Sequence, residues 1–529
     1  MRVSDIRGGP SRAGGGAGPG AAGTGPRRLL AGVPPWARRH RWFLGVFGLG
    51  TLLRLVAVAG YRPALWFPDS YTYVVTAMRP RPDLVRPAGY SMFLRLLEPF
   101  HSFALVVVAQ HVLGLLTGAM VYAAARRGGA AAWAAVLASA PVLLDAYQVE
   151  LEHLLVSDPL FGFLVTAAVW ASLRRPVSGP RAVALGVLLA AATLTRTVGL
   201  PLVAVFAAFL VWRALRDGHT GWRGPARRAG LLLLAALVPL GAYAGWFYAT
   251  YQRIGLIGSN GVFLYARTMS FADCGVMRPP ADLRVLCDPR PPSARPASQE
   301  YIWSFDSPLV RLPGITFTPE TDSLAMRFAS LAIRSQPLDY AASALTELGR
   351  SFVWTRPVYP DPATYGYYEF PRTPPPPPGR HPAVVGTRFA ERYEQGPLTV
   401  GVAEPYAGML RAYQRVAFLP GTLLLAVLLV PPSAAAARLL ARRRQAGGGL
   451  RGLVRWEARG APRGTVPPAG RWGLPWTAAW TLLLVPPATA QFDYRYVLPV
   501  VPLACLAAAL AVGPANPLNR LQEKNVKLK

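Results

Sequence analysis

Two short motifs early in the chain carry side chains able to do chemistry. Residues 66–71 read Trp-Phe-Pro-Asp-Ser-Tyr, and residues 86–90 read Arg-Pro-Ala-Gly-Tyr. Both follow the first long apolar segment, so Asp69 and Arg86 are expected at a membrane surface, where ionisable groups are costly to desolvate and are usually functional. A carboxylate can take a proton from a hydroxyl, and a guanidinium can bind phosphate oxygens. The motifs therefore indicate proton-transfer or phosphate chemistry at that surface.

The composition excludes an ordinary soluble protein. Of 529 residues, 52% are hydrophobic and only 16% are charged, and several windows approach the ~20 apolar residues that cross a bilayer. The sequence predicts an all-α polytopic membrane protein with about ten transmembrane helices. The predicted spans are 43–60, 103–125, 130–146, 154–173, 182–195, 198–212, 229–248, 414–432, 473–490 and 496–513. The fifth and sixth are short and leave open a single bent pair or a tight hairpin around Arg196.

The arginines are distributed in a way that predicts orientation. Basic loops alternate with balanced ones, as the positive-inside rule requires, and this places both termini in the cytoplasm of a multi-pass plasma-membrane protein. The net charge of +30 then sets topology and meets anionic lipid headgroups. Nucleic-acid binding is not needed to explain it, and we expect none.

The same patterns divide the chain into five parts. We predict a disordered basic cytoplasmic tail (1–42), an N-terminal transmembrane catalytic module of about seven helices (43–248) and an extracytoplasmic loop domain of mixed structure (249–410). C-terminal transmembrane helices (411–513) follow, with a basic cytoplasmic loop at 433–472, and a cytoplasmic tail (514–529) ends the chain. Gly/Pro/Arg-rich segments without hydrophobic periodicity are typical of disorder.

Two cysteines, Cys274 and Cys287, lie in the predicted outer domain. An exported loop favours a disulfide between them, and two free thiols are the alternative. No histidine lies near the pair, which argues against zinc.

Four groups of polar residues are predicted at the outer face. They are Asp69 with Arg86; Glu150, Glu152 and Asp158; Arg196; and Asp493 with Arg495. Arginines and carboxylates at one membrane face suit chemistry on a lipid-linked phosphate.

Plainer interpretations exist for each group. Asp69 follows a proline and could cap a helix beginning at Ser70. Arg196 and Arg495 could extend to lipid headgroups without further function. Glu150 and Glu152 fit the solvated edge of a loop equally well.

Several motifs, taken in order, resemble those of a known family. Residues 67–73, 86–90, 157–161, 194–196 and 493–499 are similar to stretches of GT-C glycosyltransferases. The match is closest to the bacterial branch that is protein mannosyltransferase-like and lipid A aminoarabinose transferase-like. Together these stretches span most of the predicted membrane part.

The resemblance implies a GT-C-like fold whose outward cavity is capped by the large loop. It implies a polyprenyl-phosphate sugar as donor and an acceptor outside the cytoplasm, with inverting transfer. The family's catalytic acid falls on Asp69, as general base, although Ser70 stands where some relatives carry a second acid. Expected substrate-binding residues are Arg86, Tyr90, Glu150, Glu152, Asp158, Arg196, Asp493 and Arg495. The metal is unknown; Glu150, Glu152 and Asp158 could bind a divalent cation with Asp69.

Two other classes of function remain open from the sequence. A transporter or lipid-linked sugar flippase also needs many helices and buried charges, but it predicts internal symmetry and broken helices at mid-membrane. A non-catalytic assembly protein would tolerate Asp69→Asn without loss.

Overall fold

A computed structural model describes residues 34–173, 177–216, 223–379, 381–445 and 469–513. Residues 1–33 of the predicted basic tail, 446–468 of the predicted basic loop and the whole tail 514–529 lie outside the described residues. Disorder and cytoplasmic placement of those segments therefore stay predictions.

The N-terminal half is a series of helices. In chain order they are α1 Pro35–Arg39, α2 Arg41–Gly60, α3 Pro68–Met78, α4 Gly89–Leu97, α5 Phe103–Arg127, α6 Ala132–Leu144, α7 Ala146–His153, α8 Asp158–Ser172, α9 Gly179–Thr195, α10 Leu200–Arg216 and α11 Arg223–Tyr251. Single 3₁₀ turns at Glu98–Phe100 and Thr197–Gly199 join neighbours. Arg196 lies between the last residue of α9 and the 3₁₀ turn that leads into α10.

Six helices in the described part of the chain are long and apolar enough to cross a membrane. They are Arg41–Gly60, Phe103–Arg127, Thr197–Arg216, Arg223–Tyr251, Gly421–Ala441 and Tyr494–Val512. A seventh span results if α6 and α7, which meet at 47°, form one broken crossing. The protein is therefore a helical membrane protein, but the predicted count of ten is not confirmed. Helices α8 and α9 have 15 and 17 residues, short of the ~20 that a bilayer needs.

A large region without long apolar helices connects α11 to the C-terminal helices. Its helices are α12 Asn260–Thr268, α13 Cys274–Met277, α14 Glu300–Trp303, α15 Pro319–Ser335, α16 Pro337–Arg350, α17 Pro362–Gly366, α18 His381–Glu394 and α19 Tyr406–Gln414, with 3₁₀ turns at Arg284–Leu286 and Pro292–Ala294. A separate hydrophobic core forms where α12 packs on α15. Beside it, Cys274 and Cys287 are joined in a disulfide with an S–S distance of 2.04 Å.

Residues 421–445 and 469–513 form three further helices, α20 Gly421–Gln445, α21 Ala469–Thr489 and α22 Val501–Val512. Helix α22 is preceded by 3₁₀ turns Tyr494–Tyr496 and Leu498–Val500. Helix α22 is apolar on all sides and packs against α5, α6, α20 and α21. A helix that is hydrophobic all round is stable only when buried. Residues 501–512 are therefore held inside the helical core, and the segment preceding α22 is fixed in position with them.

The large region folds back over one end of the bundle. Strand β1 (Tyr61–Arg62) pairs antiparallel with β2 (Gly401–Val402), α19 packs on α2, and α18 packs on α3. Helices α18 and α3 approach so closely that a Cβ at Gly386 would lie 2.4 Å from the Cβ of Tyr71. Helix α3 is therefore sandwiched between the membrane helices and this cover.

A buried ion pair lies inside the bundle. The carboxylate of Glu152 on α7 is bound by Arg54, which lies in the middle of α2. Its Nε and Nη2 donate to the two carboxylate oxygens at 2.7 and 2.8 Å, and Nη1 donates to the carbonyl of Leu143. The imidazole of His111 on α5 also contacts Glu152 at 3.0 Å. Polar groups from α2, α5 and α7 thus satisfy one another at a site where the Glu152 side chain has no exposed surface.

Arg54→Met is expected to destabilise the bundle strongly. Removing one partner of a buried pair leaves an uncompensated charge and costs on the order of 3–5 kcal/mol. The purified variant should therefore melt several degrees below the wild type, as followed by tryptophan fluorescence in detergent. The control is Arg327→Met, which removes an exposed pair with Asp282 and should cost at most about 1 kcal/mol. Equal melting temperatures for the two variants would contradict the importance of the buried pair.

Candidate active site

Asp69 lies in the first turn of α3, but it does not cap that helix. The helix begins at Pro68, and both Asp69 oxygens are used elsewhere. The start of α3 is fixed instead by Ser70, whose hydroxyl accepts from the Phe67 N–H at 2.9 Å and donates to the carbonyl of Leu155 at 2.8 Å. The capping interpretation is therefore wrong for Asp69. Ser70 anchors the loop to the α7–α8 connection, and the helix N-terminus favours the negative charge on Asp69.

Arg86 reaches Asp69 from the loop between α3 and α4. Its Nη2 donates to Asp69 Oδ1, and Asp83 holds the turn by accepting the backbone N–H groups of Val85 and Arg86 at 2.9 and 2.8 Å. Gly89 lets this loop touch the end of α9, because a Cβ there would lie 2.5 Å from the Leu194 carbonyl. The loop is therefore packed directly beside Leu194 and Thr195, the two residues that precede Arg196.

Arg495 reaches Asp69 from the other end of the chain. Its Nη1 donates to Asp69 Oδ2 at 3.0 Å, while its Nε donates to Asp493 Oδ2 at 3.1 Å. The same Asp493 oxygen accepts the hydroxyl of Tyr368 at 2.7 Å. Arg495 also lies over the ring of Phe67, 4.5 Å from its centroid. Tyr368, Asp493 and Phe67 together fix the guanidinium against Asp69.

Arg196 completes the group from the α9–α10 turn. Its Nη1 donates to Asp158 Oδ1, and its guanidinium lies 5.0 Å from the centroid of the Tyr496 ring. Arg495 lies 5.6 Å from the same ring, so the two arginines share one aromatic neighbour. We call the set Asp69, Arg86, Asp158, Arg196, Asp493 and Arg495 the Asp69 cluster. Six residues far apart in sequence, three carboxylates and three arginines, thus meet at one end of the bundle.

The arginines keep Asp69 ionised in spite of its burial. Only 8% of the residue is exposed, and desolvation by itself would raise the pKa of its carboxyl. The charges and hydrogen bonds of Arg86 and Arg495 outweigh that effect and hold the Asp69 pKa well below its usual range. The Tyr73 hydroxyl nearby has a raised pKa, because burial and then the Asp69 charge disfavour its anion. At neutral pH the site holds a carboxylate beside a neutral phenol.

Three of the sequence-predicted site residues lie elsewhere. Tyr90 is buried against α5, where its hydroxyl donates to Gln110 Oε1 at 2.7 Å. Glu152 binds Arg54 and His111. Glu150 is also fully buried rather than at a solvated edge, and neither of its oxygens has a hydrogen-bond partner within the described ranges. These three residues shape the interior of the bundle and are not brought to Asp69.

Of the four carboxylates suggested for a divalent cation, Asp69 and Asp158 belong to the Asp69 cluster, and Glu150 and Glu152 lie in the interior of the bundle. Asp158 binds Arg196, Asp69 binds two arginines, and Glu152 binds Arg54. In the part of the chain that the structure describes, no group of three or more His, Cys, Asp or Glu side chains is placed to hold a metal ion.

Tyr368 is the site residue that sequence reasoning missed. It comes from the large covering region, more than a hundred residues from Asp493 in sequence, so no local spacing connects the two. The sequence feature that could have indicated Tyr368 is its aromatic surroundings, since residues 365–370 read Tyr-Gly-Tyr-Tyr-Glu-Phe. Tyrosines join an apolar ring to a hydrogen-bonding hydroxyl and are common where buried surfaces meet polar ones.

Comparison with known proteins gives little beyond this geometry. No protein-family model and no curated protein matches the chain. Among solved structures, the protein O-mannosyltransferase Pmt1–Pmt2 complex of S. cerevisiae bound to the sugar donor aligns at 17% identity with a TM-score of 0.34. The alignment covers 48% of this chain and 38% of that one, so the chain matches about two fifths of the neighbour's length. Neither a shared fold nor a shared activity follows from so partial a likeness.

The lowered pKa of Asp69 predicts how stability varies with pH. Asp69→Asn leaves Arg86 and Arg495 without their carboxylate and should lower the melting temperature. Because the folded pKa is below the unfolded value of about 3.9, the stabilisation is complete above that value and is lost as pH falls through the folded pKa. The melting difference between wild type and Asp69→Asn should therefore be constant from roughly pH 8 to 5 and narrow only in stronger acid.

Asp306→Asn is the control for this titration, since Asp306 forms an exposed pair with Arg311 and its replacement should change little at any pH. A melting difference for Asp69→Asn that already disappears near neutral pH would show that the carboxylate is not held ionised by the arginines.

Proposed function

We propose that the protein is an integral membrane glycosyltransferase that moves a sugar from a polyprenyl-phosphate carrier to an acceptor hydroxyl on the extracytoplasmic side. Asp69 acts as the general base, and the anomeric configuration is inverted. The observation that carries the proposal is the Asp69 cluster: one buried carboxylate is held ionised by two guanidinium groups, and a third guanidinium, that of Arg196, is paired with Asp158 next to them.

Asp69 retains the capacity to accept a proton while it is held. A carboxylate offers about four lone-pair sites, and Arg86 and Arg495 each occupy one. The remaining sites can accept the hydrogen of an acceptor hydroxyl. Arg86 and Arg495 therefore orient the Asp69 carboxylate and leave it lone pairs that can accept a proton.

The proposed reaction is a single displacement. The acceptor oxygen forms a bond to the anomeric carbon of the sugar, and its proton passes to Asp69. The bond between that carbon and the carrier's phosphate oxygen breaks, and the phosphate leaves with the electron pair. Arg196 and Arg495, which flank the Tyr496 ring, are positioned to hold the charge that develops on the leaving phosphate.

Donor binding would also adjust the strength of the base. In the structure Arg86 and Arg495 keep the Asp69 pKa low, which makes the carboxylate a weak base. A bound phosphate shares the charge of Arg495, so the pKa of Asp69 should rise towards the range where proton transfer is more effective. Binding of the carrier phosphate and the pKa of Asp69 are thereby coupled through the Arg495 guanidinium.

The charge distribution supports an outward-facing site. Helix α5 begins at Phe103 beside the covering region and ends at Arg126 and Arg127. Helix α10 likewise begins beside Arg196 and ends at Arg213 and Arg216. The basic helix ends therefore lie opposite the Asp69 cluster, and the positive-inside rule places basic ends in the cytoplasm.

Asp69→Asn should abolish sugar transfer while the protein still inserts and folds. Asparagine keeps the size of the side chain but cannot take the acceptor's proton. Loss of a general base lowers rates by about 10²–10⁴-fold. The measurement is transfer of labelled sugar from a synthetic polyprenyl-phosphate donor by folded protein in nanodiscs, assayed below the variant's melting temperature.

Asp306→Asn serves as the matched control and should retain wild-type transfer. Full transfer by Asp69→Asn would remove the base from the mechanism and favour transport or an assembly role for the protein.

Arg495→Gln and Arg196→Gln should each slow transfer at saturating donor. Removing one preorganised donor to a developing negative charge costs ~2–4 kcal/mol, or about 10²–10³-fold in kcat. Arg327→Gln, which loses only the exposed pair with Asp282, should behave as the wild type. A change confined to the donor KM would mean that the arginines bind the carrier equally in the ground and transition states.

A further inference from the structure

Helix α16 of the covering region exposes one face that carries no charge. The exposed residues of this face recur at helical spacing and are Leu338, Ala341, Ala342, Leu345, Thr346 and Gly349. Leu338 and Leu345 are 83% and 66% exposed, and the Thr346 hydroxyl donates within the helix, to the Ala342 carbonyl at 2.9 Å. Asp339 is also exposed, but by helical spacing it lies at the edge of this face. We call these six residues the α16 face. A helix surface in water is normally polar, so the α16 face is not built for water.

The preceding helix, α15, shows what a water-facing helix of this region looks like. Its buried residues Ala325, Phe328 and Ala329 pack into the core of the covering region. Its exposed residues are polar or charged and include Glu320, Ser323, Arg327 and Arg334. The two helices follow each other directly in the chain, so a general lack of polar residues does not explain the α16 face. The surroundings of the two helices must differ.

The end of α16 lies beside the start of a membrane span. The Gly421 N–H donates to the Val353 carbonyl at 2.9 Å, and a Cβ at Gly421 would lie 2.4 Å from the Ser351 carbonyl oxygen. Gly421 is the first residue of α20, which is long and apolar enough to cross a membrane. Trp354, which follows this contact, is 58% exposed, and tryptophan is enriched at membrane–water interfaces. The C-terminal end of α16 is therefore at the depth where a span enters the bilayer.

The opposite face of α16 binds the segment that leads into the Asp69 cluster. Glu347 Oε2 accepts the backbone N–H of Phe492 at 2.7 Å, and the Tyr340 hydroxyl donates to the carbonyl of Ala488 at 2.8 Å. The helix thus connects its exposed face to residues 488–492, directly before Asp493.

We propose that α16 lies in the membrane interface on the side of the Asp69 cluster, with Leu338 and Leu345 in contact with lipid acyl chains. Exposed apolar patches of this kind mark membrane or protein contacts. The adjoining span decides for lipid, because Leu423 in the first turn of α20 is itself 44% exposed. An amphipathic helix buries its apolar face about 5–10 Å into the boundary between headgroups and acyl chains. At that depth α16 holds residues 488–492 near the level of the lipid phosphates.

This placement goes beyond the proposed glycosyl transfer and does not depend on it. If the transfer is correct, α16 sets the Asp69 cluster at the depth of the carrier's phosphate, and the carrier needs no large displacement out of the bilayer to reach Arg495.

The depth of α16 can be measured by fluorescence quenching. Leu338→Cys and Leu345→Cys are each combined with Cys505→Ser, which removes the buried free thiol, and are labelled with the fluorophore NBD. The full-length protein is placed in nanodiscs and exposed to two quenchers. One is a phosphatidylcholine with a nitroxide near the top of its acyl chain, and the other is iodide in the water. Both labels should lose fluorescence with the nitroxide lipid and keep it with iodide.

Two matched positions calibrate the result. Ser323→Cys on the exposed side of α15 should respond to iodide and not to the nitroxide lipid. Leu423→Cys on α20 should respond to the nitroxide lipid. Labels on α16 that behave like the one at Ser323 would overturn the proposal, because the face would then lie in water. Labels shielded from both quenchers would overturn it as well, since protein, such as a second copy of this chain, would then cover the face.

The quenching needs no enzymatic activity, so it is separate from the test of the proposed function. Lipid quenching of the α16 labels in a wild-type background that transfers no sugar would support the placement and overturn the glycosyltransferase proposal alone.

Discussion

The structure depends on one electrostatic requirement: a carboxylate that stays ionised while buried near a membrane must be paired. Asp69 meets that requirement with Arg86 from the next loop and Arg495 from more than four hundred residues later. The ion pairs therefore connect the beginning of the chain to the segment before its last helix. Helix α22, enclosed on all sides, gives Arg495 a rigid base, and the covering region adds Tyr368 to hold Asp493.

A second set of buried polar groups supports the first from within the bundle. Glu152 on α7 binds both Arg54 on α2 and His111 on α5, and His111 continues the contact to His153 at 3.1 Å. Strand β1 follows α2 directly, and the α7–α8 connection that follows His153 accepts the Ser70 hydroxyl. The pairing inside the bundle thus sets the position of the elements that carry the Asp69 loop. Satisfied polar groups in a region of low dielectric specify one arrangement of helices, because each alternative leaves a charge unpaired.

Sequence reasoning anticipated the local features and missed the long-range ones. Apolar windows and arginine placement were enough to predict a helical membrane protein, and residue types were enough to select Asp69, Arg86, Asp158, Arg196, Asp493 and Arg495, which the fold brings together. The same reasoning expected Glu150 and Glu152 to bind substrate, with the solvated edge of a loop as the alternative, because an alternation of charged and apolar residues looks alike whether a helix is exposed or buried. Their burial, the role of Tyr368 and the Arg54–Glu152 pair depend on tertiary contacts that no spacing in the sequence encodes.

The number of membrane spans could not be predicted for a related reason. Apolar helices of 15 to 17 residues are long enough to pack in a bundle but short for a bilayer.

The most direct test of the central claim is a structure of the full-length protein with a bound polyprenyl phosphate. The account predicts that the phosphate oxygens lie within hydrogen-bonding distance of the Arg495 and Arg196 guanidinium groups. The sugar or its stand-in should face the Asp69 carboxylate, and at least one contact between Asp69 and Arg495 should be lengthened. A phosphate bound at the opposite end of the bundle, with the Asp69 cluster unchanged, would contradict the account.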